Sequence, residues 1–182
     1  MIATCSCSCA PSIRFSLRVT PDYGLRISDQ QWVGNYGAVL SDTTHFTFAH
    51  LRQNTLGIAT RANWTASPTL SLQLYTQPFV STGVFSRHRE LRDPRAVRYD
   101  DRLAPFTQGA PLRDFSFKQF NSNAVVRWEY RPGSTLFVVW QQGRLRDSTG
   151  DGGFEVVRDY RDLFRAHPDN TLLVKLSYWL KP

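Results

Sequence analysis

From Thr171 to Leu180 the chain alternates without a break. Leu172, Val174, Leu176, Tyr178 and Leu180 share one parity; Leu173, Lys175, Ser177 and Trp179 share the other. Side chains of a strand point to opposite faces with period two, so this segment predicts a strand with one apolar and one mixed face. The same design recurs in Ile13-Phe15-Leu17-Val19, in Leu56-Ile58-Thr60-Ala62-Trp64 and in Leu70-Leu72-Leu74-Thr76. It returns in Phe120-Ser122-Ala124-Val126-Trp128-Tyr130 and in Leu136-Val138-Trp140. Strands of about ten residues with one lipid-compatible face are what a transmembrane β-barrel requires. The expected fold class is therefore all-β: an antiparallel meander of about seven transmembrane strands. It would form the C-terminal part of an outer-membrane barrel, open or incompletely closed in this stretch alone.

Bulk composition argues the other way, with 41% hydrophobic residues and a mean hydropathy of −0.36. A barrel strand, however, gives every second residue to its lumen and dilutes its own signal. No apolar run reaches the roughly 18 residues of a membrane-spanning helix. The net charge is +7, carried mostly by arginine. Nucleic acid is still not an expected partner, because the arginines between 87 and 113 and between 144 and 165 are interleaved with acids, as in solvated loops. Cys5, Cys7 and Cys9 lie outside the periodic segments and lack C-x-x-C spacing, so no metal site or cofactor is expected. The first residues also lack the basic start and apolar core of a signal peptide. The chain divides into 1–10, a disordered or mis-called leader, and 11–182, the barrel portion.

Seven strands are expected at 12–20, 24–33, 54–65, 69–80, 118–130, 135–144 and 171–180, paired in sequence order. Tight turns fall at 21–23, 66–68 and 132–134, each marked by proline. They alternate with long connections at 34–43, 81–117 and 144–170. Short periplasmic turns and long outer loops are the asymmetry of outer-membrane barrels. The apolar parities on either side of each turn match only if Val19 shares a face with Leu25, Trp64 with Leu70, and Tyr130 with Leu136, which calls for loops of odd length. An odd strand count ending in the periplasm would start outside, leaving Ile13–Val19 as an open edge and implying a missing N-terminal portion. Within 144–170, Val157, Tyr160, Leu163 and Phe164 have helical spacing, and Pro168 ends a short helix.

The two faces give the candidate site residues. The lumen-facing polar set is Arg14, Arg18, Arg61, Asn63, Gln73, Gln77, Asn121, Asn123, Arg127, Glu129, Gln141 and Lys175. Such a face suits either a packed polar network or a passage tolerant of anions and sugars. Trp64, Trp128, Tyr130, Trp140 and Tyr178 fall near strand ends on the lipid parity, where amphipathic rings collect at membrane interfaces; Trp140 would join an outer girdle. His45, His50, His88 and His167 lack partners at motif spacing, and no G-x-S-x-G accompanies them, so no catalytic residue is assigned. Asp147–Glu155 departs from a calcium loop, with Arg158 where the bidentate glutamate belongs, and reads as a flexible loop.

The stretches ATRANWTASPTLSLQLYTQPFVSTG (59–83), FNSNAVVRWEYRPGSTLFVVWQQGR (120–144) and PDNTLLVKLSYWLKP (168–182) carry a family likeness. They resemble the C-terminal barrel region of uncharacterised bacterial outer-membrane proteins with an upstream carbohydrate-binding family-9-like module. The likeness spans roughly 11–182, and W-T-x-x-P-x-L-S-L-Q-L-Y-x-Q-P-F is its most specific block. The family is a domain of unknown function whose members are often labelled hydrolases. The resemblance implies residence in the bacterial outer membrane, contact with lipid and lipopolysaccharide, and a glycan ligand through the upstream module. The leading expectation is a structural and transport role linked to carbohydrate handling. Two alternatives stand beside it: a barrel-scaffolded surface hydrolase, its catalytic residues mostly outside this stretch, and a soluble β-barrel that binds small ligands.

Overall fold

The computed structural model describes residues 2–4, 7–12, 14–37, 44–107 and 114–180. They form one antiparallel sheet, one α-helix and a short 3-10 turn at Tyr99–Arg102. In chain order the elements are β1 (Ile2–Thr4), β2 (Cys7–Ser12), β3 (Phe15–Tyr36), β4 (His45–Ser67), β5 (Leu70–Leu91), β6 (Leu103–Pro105), β7 (Phe115–Arg131), β8 (Ser134–Thr149), α1 (Val156–Arg165) and β9 (Asp169–Ser177). The sheet is an open meander whose path is the seven strands β1-β3-β4-β5-β7-β8-β9; β2 pairs with β3, and β6 with β5. The expected neighbours hold: β4 lies beside β5, β5 beside β7, β7 beside β8 and β8 beside β9.

The expected turn at 21–23 does not exist. The segments 12–20 and 24–33 merge into β3, which pairs with β4 from Phe15↔Trp64 to Tyr36↔His45. Pro21 stays within β3, opposite Ile58 of β4. β1 and β2 pair with β3 in one common register, from Thr4↔Asp22 to Cys7↔Val19. Phe15–Val19 is thus no open edge, being flanked by β4 and β2. The first tight connection instead separates Ser12 from Phe15, where β2 turns into β3.

The other two turns keep the predicted parity by a different device. Each is two residues long, Pro68-Thr69 and Pro132-Gly133, and each is preceded by one bulged residue, Ala66 or Tyr130. Turn plus bulge makes the odd number that the apolar faces demand. Gly133 has φ +79°, and with Pro132 ahead of it supplies the combination a type II turn needs. A Cβ at Gly133 would also lie 3.1 Å from Trp179, whose backbone N–H donates to Ser134 Oγ at 3.0 Å.

Two of the expected long loops are much shorter than the sequence implies. Residues 81–91 continue β5 and 145–149 continue β8. At roughly 3.3 Å per residue, β3, β4 and β5 each reach about 70 Å, around twice what a tilted membrane strand needs. A helix covers part of one face. α1 packs against β5, β7 and β8, burying Leu163 and Asp159 against Val80, Lys118 and Phe120; Phe164 meets Phe120 edge-on at 5.3 Å. The helix is the one that Tyr160, Leu163 and Phe164 predicted, although Val157 stays exposed. Glu155 caps it, accepting from the N–H groups of Val157 and Arg158, and Asp159 reaches back to the Glu155 N–H at 2.9 Å.

The loop between β8 and α1 crosses close to β5. A Cβ built on Gly152 would fall 2.3 Å from the Gly83 carbonyl oxygen and 2.8 Å from Asp114 Cβ. Neither neighbour is a flexible side-chain end. Gly152→Ala should therefore push the loop off and cost about 1–3 kcal/mol. Denaturant unfolding of the variant tests this, and unchanged stability would refute the close approach.

Candidate functional site

Register assigns every side chain of the sheet to one of two faces. One face carries Phe15, Trp64, Leu72, Val126, Val138 and Val174 in a single cross-strand row, and Leu17, Ala62, Leu74, Ala124, Trp140 and Leu172 in the next. Trp128 lies beside Leu70 and Leu136 on the same face, with its ring 6.1 Å from that of Tyr130. Trp140 donates from Nε1 to Asn170, and Arg131 donates to the Tyr178 hydroxyl. One row further from the turns this face becomes polar, at Thr60, Thr76, Ser122, Gln142 and Asn170. Beyond that it receives α1.

The opposite face gathers the polar set. Arg18, Arg61, Asn123 and Gln141 stand in one row with Tyr75; Asn63 and Gln73 lie in the next row toward the turns, and Gln77 with Asn121 in the next row away. Arg127 and Lys175 flank Phe137 nearer the turn end, with Glu129 beyond them 3.5 Å from Arg127. Arg14, the residue before β3, follows the same parity. The face is not uniformly polar, since Val125, Val139 and Leu173 continue the row of Asn63 and Gln73.

Within it lies an open cavity of about 290 Å³ lined by Arg61, Asn63, Gln73, Tyr75, Asn123, Val125 and an edge of Leu74. The Arg61 guanidinium sits 5.3 Å from the Tyr75 ring centroid, and the Tyr75 hydroxyl donates to Gln77 Oε1 at 2.8 Å. Asn63 donates to Ser16 Oγ at 3.2 Å. Sequence reasoning passed over Tyr75. Its signal was available, as an aromatic on the polar parity between two glutamines.

The histidines have partners that spacing could not reveal. His45 Nδ1 meets Glu90 Oε2 at 2.5 Å, and His50 Nδ1 meets Asp29 Oδ1 at 2.7 Å. Both carboxylates come from neighbouring strands. Asp29 is turned toward His50 by a register shift in β3 between Ser28 and Gln31, and a second shift, with Arg87 at φ 50°, lies on the β5 side. Tyr36 and His45 also flank the Phe106 ring. These contacts pin the far ends of β3, β4 and β5 to the 92–107 connection.

The charged anchor of α1 forms a third cluster. Lys118 Nζ lies 3.0 Å from Asp159 Oδ1 and 3.3 Å from Asp162 Oδ2, and Arg144 donates to the carbonyls of Phe164 and Ala166 at the helix C-terminus. Desolvation pushes the Asp162 carboxyl upward. Its hydrogen bond to Lys118 and the charges of Lys118, Arg146 and Arg165 outweigh this and hold it below the usual carboxylate range. Burial pushes the Tyr160 hydroxyl up. With the folded carboxyl the more acidic, the stabilisation is complete above the unfolded value and drains away as pH falls through the folded one. Amide exchange across 156–165 should quicken below about pH 4 while that of the β7–β8 hairpin stays slow. Uniform acceleration would refute a local acid release.

No curated protein and no solved structure matches the chain. The protein family described as Domain of unknown function (DUF5916) matches residues 2–181.

Proposed function

We propose that this chain, which belongs to the DUF5916 family, forms part of the wall of a β-barrel in a bacterial outer membrane, with a structural and transport role tied to carbohydrate handling. The observation that carries this reading is the exposed apolar face, continuous across six strands. Trp64 is 48% exposed there, Trp140 43% and Val174 60%. Soluble monomers rarely leave contiguous apolar patches of such breadth in water. Hydrocarbon removes the cost.

On β5 the exposed apolar rows run from Leu70 to Leu74 and on β7 from Trp128 to Ala124, up to the polar row of Thr76 and Ser122. The turns 68–69 and 132–133 would face the periplasm, and the connections 37–44, 92–114 and 150–168 the exterior. The strand ends beyond the bilayer, with α1 on their outer surface, would meet lipopolysaccharide. Trp64, Trp128, Tyr130 and Tyr178 would lie at the periplasmic interface. The amide- and guanidinium-rich face would line the lumen and pass hydrated solutes.

Exported in a Gram-negative host, the chain should fractionate with the outer membrane and resist alkaline extraction. Bromine-labelled acyl chains should quench its fluorescence, and replacing Trp64 and Trp128 together by phenylalanine should remove much of that quenching. A monomer that stays in solution without detergent would overturn the proposal in favour of a soluble barrel.

A further inference from the structure

Arg18 and Arg61 are direct register partners on β3 and β4, on the same face. Like charges so placed repel, and sheets ordinarily avoid the arrangement. Among the described residues neither guanidinium has a carboxylate partner. The nearest acids on that face are occupied or distant: Glu129 is held by Arg127, and Asp22 lies two pleats from Arg18, opposite Gly57. Arg61 instead leans over Tyr75 at the mouth of the 290 Å³ cavity, with the amides of Asn63, Gln73 and Asn123 around it.

We propose that Arg18, Arg61, Asn63, Gln73, Tyr75 and Asn123 form a binding site for an acidic sugar chain, one bearing carboxylates on its rings. Each part of the ligand has a counterpart. Guanidinium forks match carboxylate geometry and would be relieved of mutual repulsion by the bound anion. Side-chain amides both donate and accept, as sugar hydroxyls require. The Tyr75 ring offers an apolar face with a polar rim for a pyranose to lie on. A simple anion would use only the arginines, and a neutral sugar only the amides and the ring. The site deepens the barrel-wall reading and rests on it for the route by which a sugar chain reaches this face.

The test is calorimetric titration of the folded full chain in detergent micelles with trigalacturonate, maltotriose and inorganic sulfate. Trigalacturonate should bind at least tenfold more tightly than either of the others. Arg18→Gln and Arg61→Gln should each weaken it about tenfold or more. Both variants relieve a like-charge contact, so their thermal midpoints should not fall; Arg61→Lys should recover part of the affinity. Arg26→Gln, four pleats' parity away on the same strand and bonded to Gln31, should bind as the parent does. Equal binding of sulfate, equal binding of maltotriose, or indifference to Arg61→Gln would each overturn the site. Micellar titration needs no pore, and flotation with liposomes reports insertion separately. Binding without flotation would sink the barrel reading alone; flotation without binding would sink only this site.

Discussion

Lys118→Leu should be the most damaging single change on the helix side of the sheet, costing about 3 kcal/mol or more. Asp159 is completely buried, and Lys118 is its closest cation at 3.0 Å; Arg158 reaches it only at 3.4 Å. Removing one member of a buried pair strands the other charge, which generally costs about 3–5 kcal/mol, whereas replacing both with apolar groups is often close to neutral. Lys118→Leu with Asp159→Leu should therefore regain most of the loss, although Asp159 also accepts the Glu155 N–H, which the double variant leaves unpaired. Denaturant unfolding of the single and double variants measures both effects. Additive losses would contradict the pairing argument.

On the opposite end of the strands the decisive comparison is between adjacent parities of β7. Val126 stands in the apolar row between Leu72 and Val138, and Asn123 stands in the polar row between Tyr75 and Gln141. With the apolar face in lipid, Val126→Arg should cost about 1–3 kcal/mol, less than the roughly 2–4 kcal/mol of the bilayer midplane because Trp128, one pleat away, would lie at the interface. Asn123→Arg should fall within about 0.5 kcal/mol, as for a solvated surface change. Refolding into lipid vesicles across a urea series reads both. Equal damage from the two would refute the assignment of faces.

What the sequence disclosed follows the period-two signal closely. Wherever one parity is apolar and the other polar, as in 54–65, 69–80, 118–130, 135–144 and 171–177, strand, face and neighbour were all legible, because a one-residue slip would invert the face. The signal misled at Thr20-Pro21-Asp22-Tyr23-Gly24, whose residues are those of a turn. Pairing with Ala59-Ile58-Gly57-Leu56-Thr55 of β4 holds these residues extended, and no local pattern encodes it. It faded at Ser81-Thr82-Gly83, where both faces are buried and alternation is no longer needed. Gly83, read as loop, is a close contact: Phe115 packs where its Cβ would be. The partners of His45 and His50 were hidden for another reason, since Glu90 and Asp29 lie far away in sequence and are delivered by strand pairing. Tyr75 was visible and overlooked.

The sequential pairing of the long strands also bears on how the sheet is built. β3 through β9 are laid down, each against the strand made just before it, with only the short β6 set aside. The β4–β5 and β7–β8 contacts close over two-residue turns, the condition under which all-β chains fold least slowly. Those of β5–β7 and β8–β9 wait on the connections 92–114 and 150–168. A nucleus at either hairpin, β4–β5 or β7–β8, can grow by adding one strand at a time. At any moment the growing sheet then exposes only its newest edges to a wrong partner.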